Sequence, residues 1–229
     1  MKHPWNQVGR VERRVSRLRT RLTALGGLLG GAVVVGALAA MLTGLSAAPP
    51  PRIPASSAAA AEVAALRNEL EDTKGRLALA EVRVDRMGAI AKYSALYKVP
   101  ADLAGAIYDI ALSEGIHPSL GFQLIKVESG FKAGARSDKG AIGYAQVRLK
   151  TARGYDPSLT ERALHDRDTN LRIGFRFLKD MLQQFDQDLQ MALVAYNRGP
   201  GRVVELMTRG EDPSNGYAQS VLKGVRKGS

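Results

Sequence analysis

Between Leu22 and Pro51 the chain carries no charged side chain. So long an uncharged run cannot sit on the surface of a small folded domain; it needs an apolar medium. Residues 25–45, rich in Leu, Val, Ala and Gly, match the ~20 residues that a helix needs to cross the hydrocarbon layer of a bilayer. Just before the run, residues 1–21 hold seven Lys/Arg and one Glu. The positive-inside rule then keeps the N-terminus in the cytoplasm and sends everything after Ala48 outside. A cleaved signal peptide is the rival reading. Ser46-Ala47-Ala48 offers small residues for cleavage, but Pro49 makes the site poor. The apolar run also exceeds the ~7–15 residues usual in such a peptide. An uncleaved anchor over 22–47, behind a basic cytoplasmic tail at 1–21, is the expectation.

This partition also explains the net charge of +11. Residues 98–229 contain nineteen Lys/Arg and fifteen Asp/Glu, whereas the first twenty-one alone contribute +6. The basicity is mostly a property of the tail. A nucleic-acid binder would instead place basic residues among aromatics on its folded domain, so no nucleic-acid partner is expected. The absence of cysteine excludes disulfides, thiolate metal sites and a cysteine nucleophile. His3, His117 and His165 lack metal-ligand spacing, and neither metal nor cofactor is expected.

Residues 48–58 are a Pro/Ala linker of stiff, extended character. Over 59–87 the period changes. Val63, Leu66, Leu70, Thr73, Leu77, Ala80, Val84 and Met87 recur in steps of three and four, a heptad seam flanked by charges. A dimerising coiled coil and a solitary amphipathic spacer helix both fit. Gly75, Thr73 and Ala80 weaken the seam. From residue 88 to 229 the pattern is of successive helices with glycine-bearing loops, near 88–97, 101–113, 118–129, 145–153, 170–185, 188–196, 200–208 and 216–226. An all-α domain follows.

One segment of that domain carries a chemical signal. In Gly115–Phe131, Pro118 suits a helix's first turn, and Gly130 suits its end. Leu120, Leu124 and Val127 form an apolar stripe. Glu128 then falls in the last turn, on the stripe. The negative end of the helix dipole and the apolar neighbours both disfavour its ionised form. A carboxyl with a raised pKa can serve as a general acid near neutral pH. A partly exposed helix-end Glu fits the same pattern.

Four blocks decide between those readings. Val127-Glu128-Ser129-Gly130-Phe131 resembles the Glu-Ser signature of soluble-type lytic transglycosylases, with Ser137 at the position of that family's downstream serine. Gly140-Ala141-Ile142-Gly143-Tyr144-Ala145-Gln146 resembles Gly-x-x-Gly-Leu-Met-Gln. Asp166 to Gly174 resembles Asp-Pro-x-x-Asn-Ile-x-x-Gly, with Arg167 in place of the proline. Ala192 to Pro200 reads Ala-Leu-Val-Ala-Tyr-Asn-Arg-Gly-Pro, close to that family's Ala-x-x-Ala-Tyr-Asn-x-Gly-Pro. The resemblance covers roughly residues 110–225. It implies a lysozyme-like helical catalytic domain and peptidoglycan glycan strands as substrate. It also implies Glu128 as catalytic acid/base, with Ser129, Ser137, Gln146, Tyr196 and Asn197 as substrate-binding residues. Gln146 is expected to orient Glu128 or a sugar acetamido group. Asp166 and Asn170 read as N-cap and turn residues. Tyr217 matches an aromatic near the family's C-terminal end. Tyr144-Ala145, in place of Leu-Met, is expected to reshape the groove floor. With the anchor, the resemblance implies a bacterial inner-membrane protein whose catalytic domain is extracytoplasmic, with secretion or conjugation machinery among the partners it could serve. A lysozyme-like hydrolase, with Asp138 as second acid, and a non-catalytic wall-binding protein are the competing functions.

Overall fold

The computed structural model describes residues 57–228, and side chains as far as Val225. The membrane anchor expected at 22–47, the basic tail and most of the linker lie outside these residues. Among the described residues no helix is long and apolar enough to cross a membrane. The chain divides into two units, residues 1–68 and 69–229. Of the first, the described residues are helical throughout.

Helix α1 runs without a break from Ser57 to Tyr97. Two helices were expected here, at 59–87 and 88–97. Gly88 does not separate them: an interior glycine costs a helix only about 1 kcal/mol, and two anchors lie just beyond it. Ile90 and Tyr93 are buried, and Arg86 pairs with Asp109. By contrast the seam residues Val63, Leu66, Leu70, Leu77, Val84 and Met87 are all exposed.

The rest of the second unit is a helical assembly: α2 (Ala101–Ser113), α3 (Pro118–Ser129), α4 (Leu149–Arg153), α5 (Arg167–Gln184), α6 (Leu189–Arg198), α7 (Pro200–Thr208) and α8 (Tyr217–Gly228). Helix α3 packs on α2 and α8, and α5 packs on α2 and α6. The core holds Ile107, Phe122, Leu124, Leu171, Phe175, Leu178, Leu193 and Val194, all inaccessible to solvent. The apolar stripe of each helix faces this common centre, as amphipathic helices require. Polar ends are closed locally. Asp166 accepts from the Thr169 backbone N–H and caps α5. Asp188 caps α6 through Gln190 and Met191. On α2's end, buried Glu114 receives Arg172 and Arg176 of α5 at 3.0 and 2.9 Å. Burial opposes its charge, but the two guanidiniums hold its carboxyl below the usual range.

The helix expected at 145–153 begins only at Leu149. Before it stands a small antiparallel hairpin, β1 (Ala141–Ile142) against β2 (Val147–Arg148), so the fold is not purely helical. Strands of two residues show no period-two pattern to read. The turn between them depends on backbone in the left-handed region, at Gly143 (φ 76°) and Gln146 (φ 48°). At Gly143 a Cβ would lie 2.5 Å from Asn170 Nδ2, so no side chain fits there. Asn170, on α5, donates to the carbonyls of Ile142 and Leu164 and accepts from the Ala145 N–H at 2.8 Å. One buried amide thus ties the hairpin to the helix behind it.

Candidate active site

Helix α3 delivers Glu128. Pro118 occupies its first turn behind the His117 cap. Gly130 ends it at φ 58°, its N–H returning to the Lys126 carbonyl. The left-handed stop fixes Glu128 in the last turn, where unpaired carbonyls concentrate negative potential. The carboxyl opens into a cavity of about 1120 Å³. Its lining also includes Ser137, Gln146, Tyr155, Asp180, Tyr196, Asn197 and Asn215.

Burial pushes the Glu128 carboxyl up to about 7, against an ordinary 4.5, and a hydrogen bond from the Tyr217 hydroxyl partly offsets this. The order of these effects matters. Desolvation penalises the carboxylate, while a donated O–H favours it. Desolvation is the larger, so the acid form persists near neutrality. Burial, reinforced by Glu128 when it is ionised, pushes the Tyr217 and Tyr196 phenols well above their usual range, so both stay protonated as donors.

The sequence-predicted residues fare differently. Ser137, Gln146, Tyr196 and Asn197 share the cavity with Glu128. Ser137 Oγ accepts from the Ala141 N–H at 3.0 Å and so also shapes the approach to β1. The Tyr196 hydroxyl donates to the Ala145 carbonyl at 2.7 Å. Asn197 Oδ1 accepts from Asn215 Nδ2 at 2.8 Å. Gln146 does not orient Glu128: its amide donates to the carbonyls of Ala135 and Gly143 at 3.1 and 3.0 Å. The left-handed backbone at Gln146 turns its side chain back on its own loop, leaving the amide oxygen as the free polar atom. Ser129 lies outside the cavity lining. It is buried, and its hydroxyl donates to the Ile125 carbonyl one turn back.

Two further expectations change. Tyr144 and Ala145 do not line the cavity; Ala145 is fully buried, packed where a Cβ on Gly174 would come within 2.4 Å of its own. Asp138 is exposed and outside the cavity. Two lining residues, Asp180 and Asn215, and the Glu128 partner Tyr217, which stands outside the lining, carried little sequence signal. Tyr217, the direct partner of Glu128, sits 89 residues away; its one cue was the match to an aromatic near the C-terminal end of the resembled family. Asp180 accepts from the Tyr155 hydroxyl. Asn215 comes from the loop before α8, which Arg198 holds through the Pro213 carbonyl at 2.8 Å.

Residues 106–214, which span the cavity-forming helices, match the family model described as Transglycosylase SLT domain. Among solved structures the chain is similar to an inactive mutant of the lytic transglycosylase Slt from Pseudomonas aeruginosa, at 28% identity, covering 54% of this chain and 22% of that one with a TM-score of 0.46. It is also similar to the 70-kDa soluble lytic transglycosylase of Escherichia coli, at 24% identity, covering 57% and 24% with a TM-score of 0.48. A complex of the 70-kDa soluble lytic transglycosylase with bulgecin A matches at 25% identity, covering 52% and 23% with a TM-score of 0.47. The chain thus spans under a quarter of the length of these structures.

Proposed function

We propose that this protein is a peptidoglycan lytic transglycosylase. It would cleave the β-1,4 bond between N-acetylmuramic acid and N-acetylglucosamine without water. The observation that carries the reading is a cavity-lining glutamate whose pKa of about 7 leaves a large share of it protonated at neutral pH, where an ordinary carboxyl is almost wholly ionised. In the first step Glu128 donates its proton to the glycosidic oxygen. The bond to the muramic anomeric carbon breaks, and the N-acetylglucosamine leaves with a free 4-hydroxyl. Charge developing on the muramic ring is met by the substrate's own acetamido group. In the second step the Glu128 carboxylate takes the proton of the muramic 6-hydroxyl, whose oxygen closes on the anomeric carbon. A 1,6-anhydro ring forms and Glu128 regains its proton. Tyr217 donates to Glu128, holding one carboxyl oxygen and leaving the other to face the bond. Gln146, Tyr196 and Asn197 would hold the sugars, with Ser137 beside the reacting centre.

A hydrolytic reading has one specific observation in its favour. Asp180 lines the same cavity and could position water as a second carboxylate does in ordinary glycosidases. Its bond from Tyr155 gives it a structural task instead. Mass spectrometry of muropeptides released by the full chain separates the two. Ends lighter by one water support transglycosylation; reducing ends labelled from heavy-oxygen water would establish hydrolysis. An intact wall after prolonged digestion would favour a binding protein.

We further propose that residues 22–47 anchor the chain in a bacterial inner membrane with the catalytic domain outside. The exposed seam of α1 would pair two copies, and local opening of the wall for a secretion or conjugation apparatus is one service such a tethered enzyme could provide.

A further inference from the structure

Over residues 98–229 basic and acidic side chains come close to balance, nineteen against fifteen. Around the Glu128 cavity that balance is lost. Lys139, Arg148, Lys150, Arg198 and Arg202 line it, against Glu128 and Asp180. Elsewhere Arg86, Arg136, Arg167, Arg172 and Arg176 each meet a carboxylate. At the cavity, Arg202 pairs with Glu205 at 2.7 Å, while Arg198 bonds only to a neutral carbonyl. The side chains of Lys139, Arg148 and Lys150 have no ion pair and no hydrogen-bond partner among the described residues.

These three belong to one short segment: the turn before β1, the end of β2 and the first turn of α4. Exposed as they are, they need no partner for folding. Concave walls of one sign focus the field into the cleft and concentrate counter-ions there. Neutral aminosugars have no group that answers such a field. A carboxylate attached to the strand does.

We propose that Lys139, Arg148 and Lys150 form a cationic rim that selects glycan strands whose muramic residues bear carboxylates. The choice of polymer rests on the transglycosylase reading above; the selection itself rests on the charge of the cavity. The carboxylates have two sources, the stem peptide, or the lactyl group once the peptide is removed.

The experiment uses the full chain carrying Glu128→Gln, so that strands survive while binding is measured by co-sedimentation. Peptide-bearing and peptide-free strands are each offered with free and with amidated carboxyls, at low and high salt. Amidation is expected to weaken binding about tenfold at low salt, a size consistent with several exposed pairs, and less at high salt. Loss confined to peptide-bearing strands assigns the peptide carboxylates; loss on both assigns the lactyl group as well. Adding Lys139→Gln, Arg148→Gln and Lys150→Gln should cost the same tenfold on unmodified strands and abolish the response to amidation. Binding that ignores amidation on both strands overturns the proposal, as does a folded triple variant that responds like its parent. A chain that discriminates by carboxylate yet, with Glu128 restored, cleaves nothing would instead sink the transglycosylase reading and leave this one standing.

Discussion

Replacing Glu128 by Gln should make the protein more stable, and only where the wild-type carboxyl is charged. The folded state holds the Glu128 proton up to about 7, whereas an ordinary glutamate releases it near 4.5. Between those values the folded state binds more protons than the unfolded chain, so stability falls as pH rises. At ~1.4 kcal/mol per decade, the accumulated cost above pH 7 is about 2–3 kcal/mol, the lower figure allowing for solvent that the cavity admits. Gln keeps the shape, stays neutral and can still accept from Tyr217. At pH 8.5 the variant should therefore melt higher by ~4–12 °C, at ~2–4 °C per kcal/mol for a domain of this size. At pH 4.5 the gap should nearly close. Thermal melts of both chains across that range, followed by circular dichroism, provide the assay. A variant that is equally or less stable at pH 8.5, or a gap that does not depend on pH, would refute the reasoning.

Other outcomes follow from the same geometry. Cleavage should fall as pH rises through about 7, where Glu128 loses its proton, and Tyr217→Phe should move that fall to higher pH because the lost O–H had favoured the carboxylate; pH–rate profiles of the two chains check this. Asn170→Ala strands the Ala145 N–H and the carbonyls of Ile142 and Leu164, and should lower stability to urea by ~3 kcal/mol. Gly174→Ala drives a methyl to 2.4 Å from Ala145 Cβ and 3.1 Å from the Tyr196 hydroxyl. It should cost ~1–3 kcal/mol in urea melts and lower the cleavage rate as Tyr196 shifts.

What the sequence revealed depended on how local the cause was. The helices with clear apolar stripes and end signals, α3 above all, were legible because Pro118, Gly130 and the Leu120–Leu124 spacing act within a few residues. Asp166 could be read as a cap for the same reason. The unusual position of Glu128 followed from its place on that stripe. Of the two roles expected of Gln146, orienting Glu128 fails because its side-chain direction is set by a left-handed backbone that no pattern announces. Ser129 falls outside the cavity lining because adjacency in a motif is not adjacency in a cavity: on a helix, neighbours in sequence point about 100° apart. Asp180 and Asn215 reach the cavity, and Tyr217 reaches Glu128, through long-range packing, which one sequence does not display. The hairpin was invisible because its strands are two residues long.

Everything functional here rests on Glu128 holding its proton near neutrality. A carbon-13 NMR titration of the glutamate side-chain carboxyls, with the Glu128 signal assigned by its disappearance in Glu128→Gln, measures that directly. A midpoint near 7 is expected for this one carboxyl. A midpoint near 4.5 would contradict it.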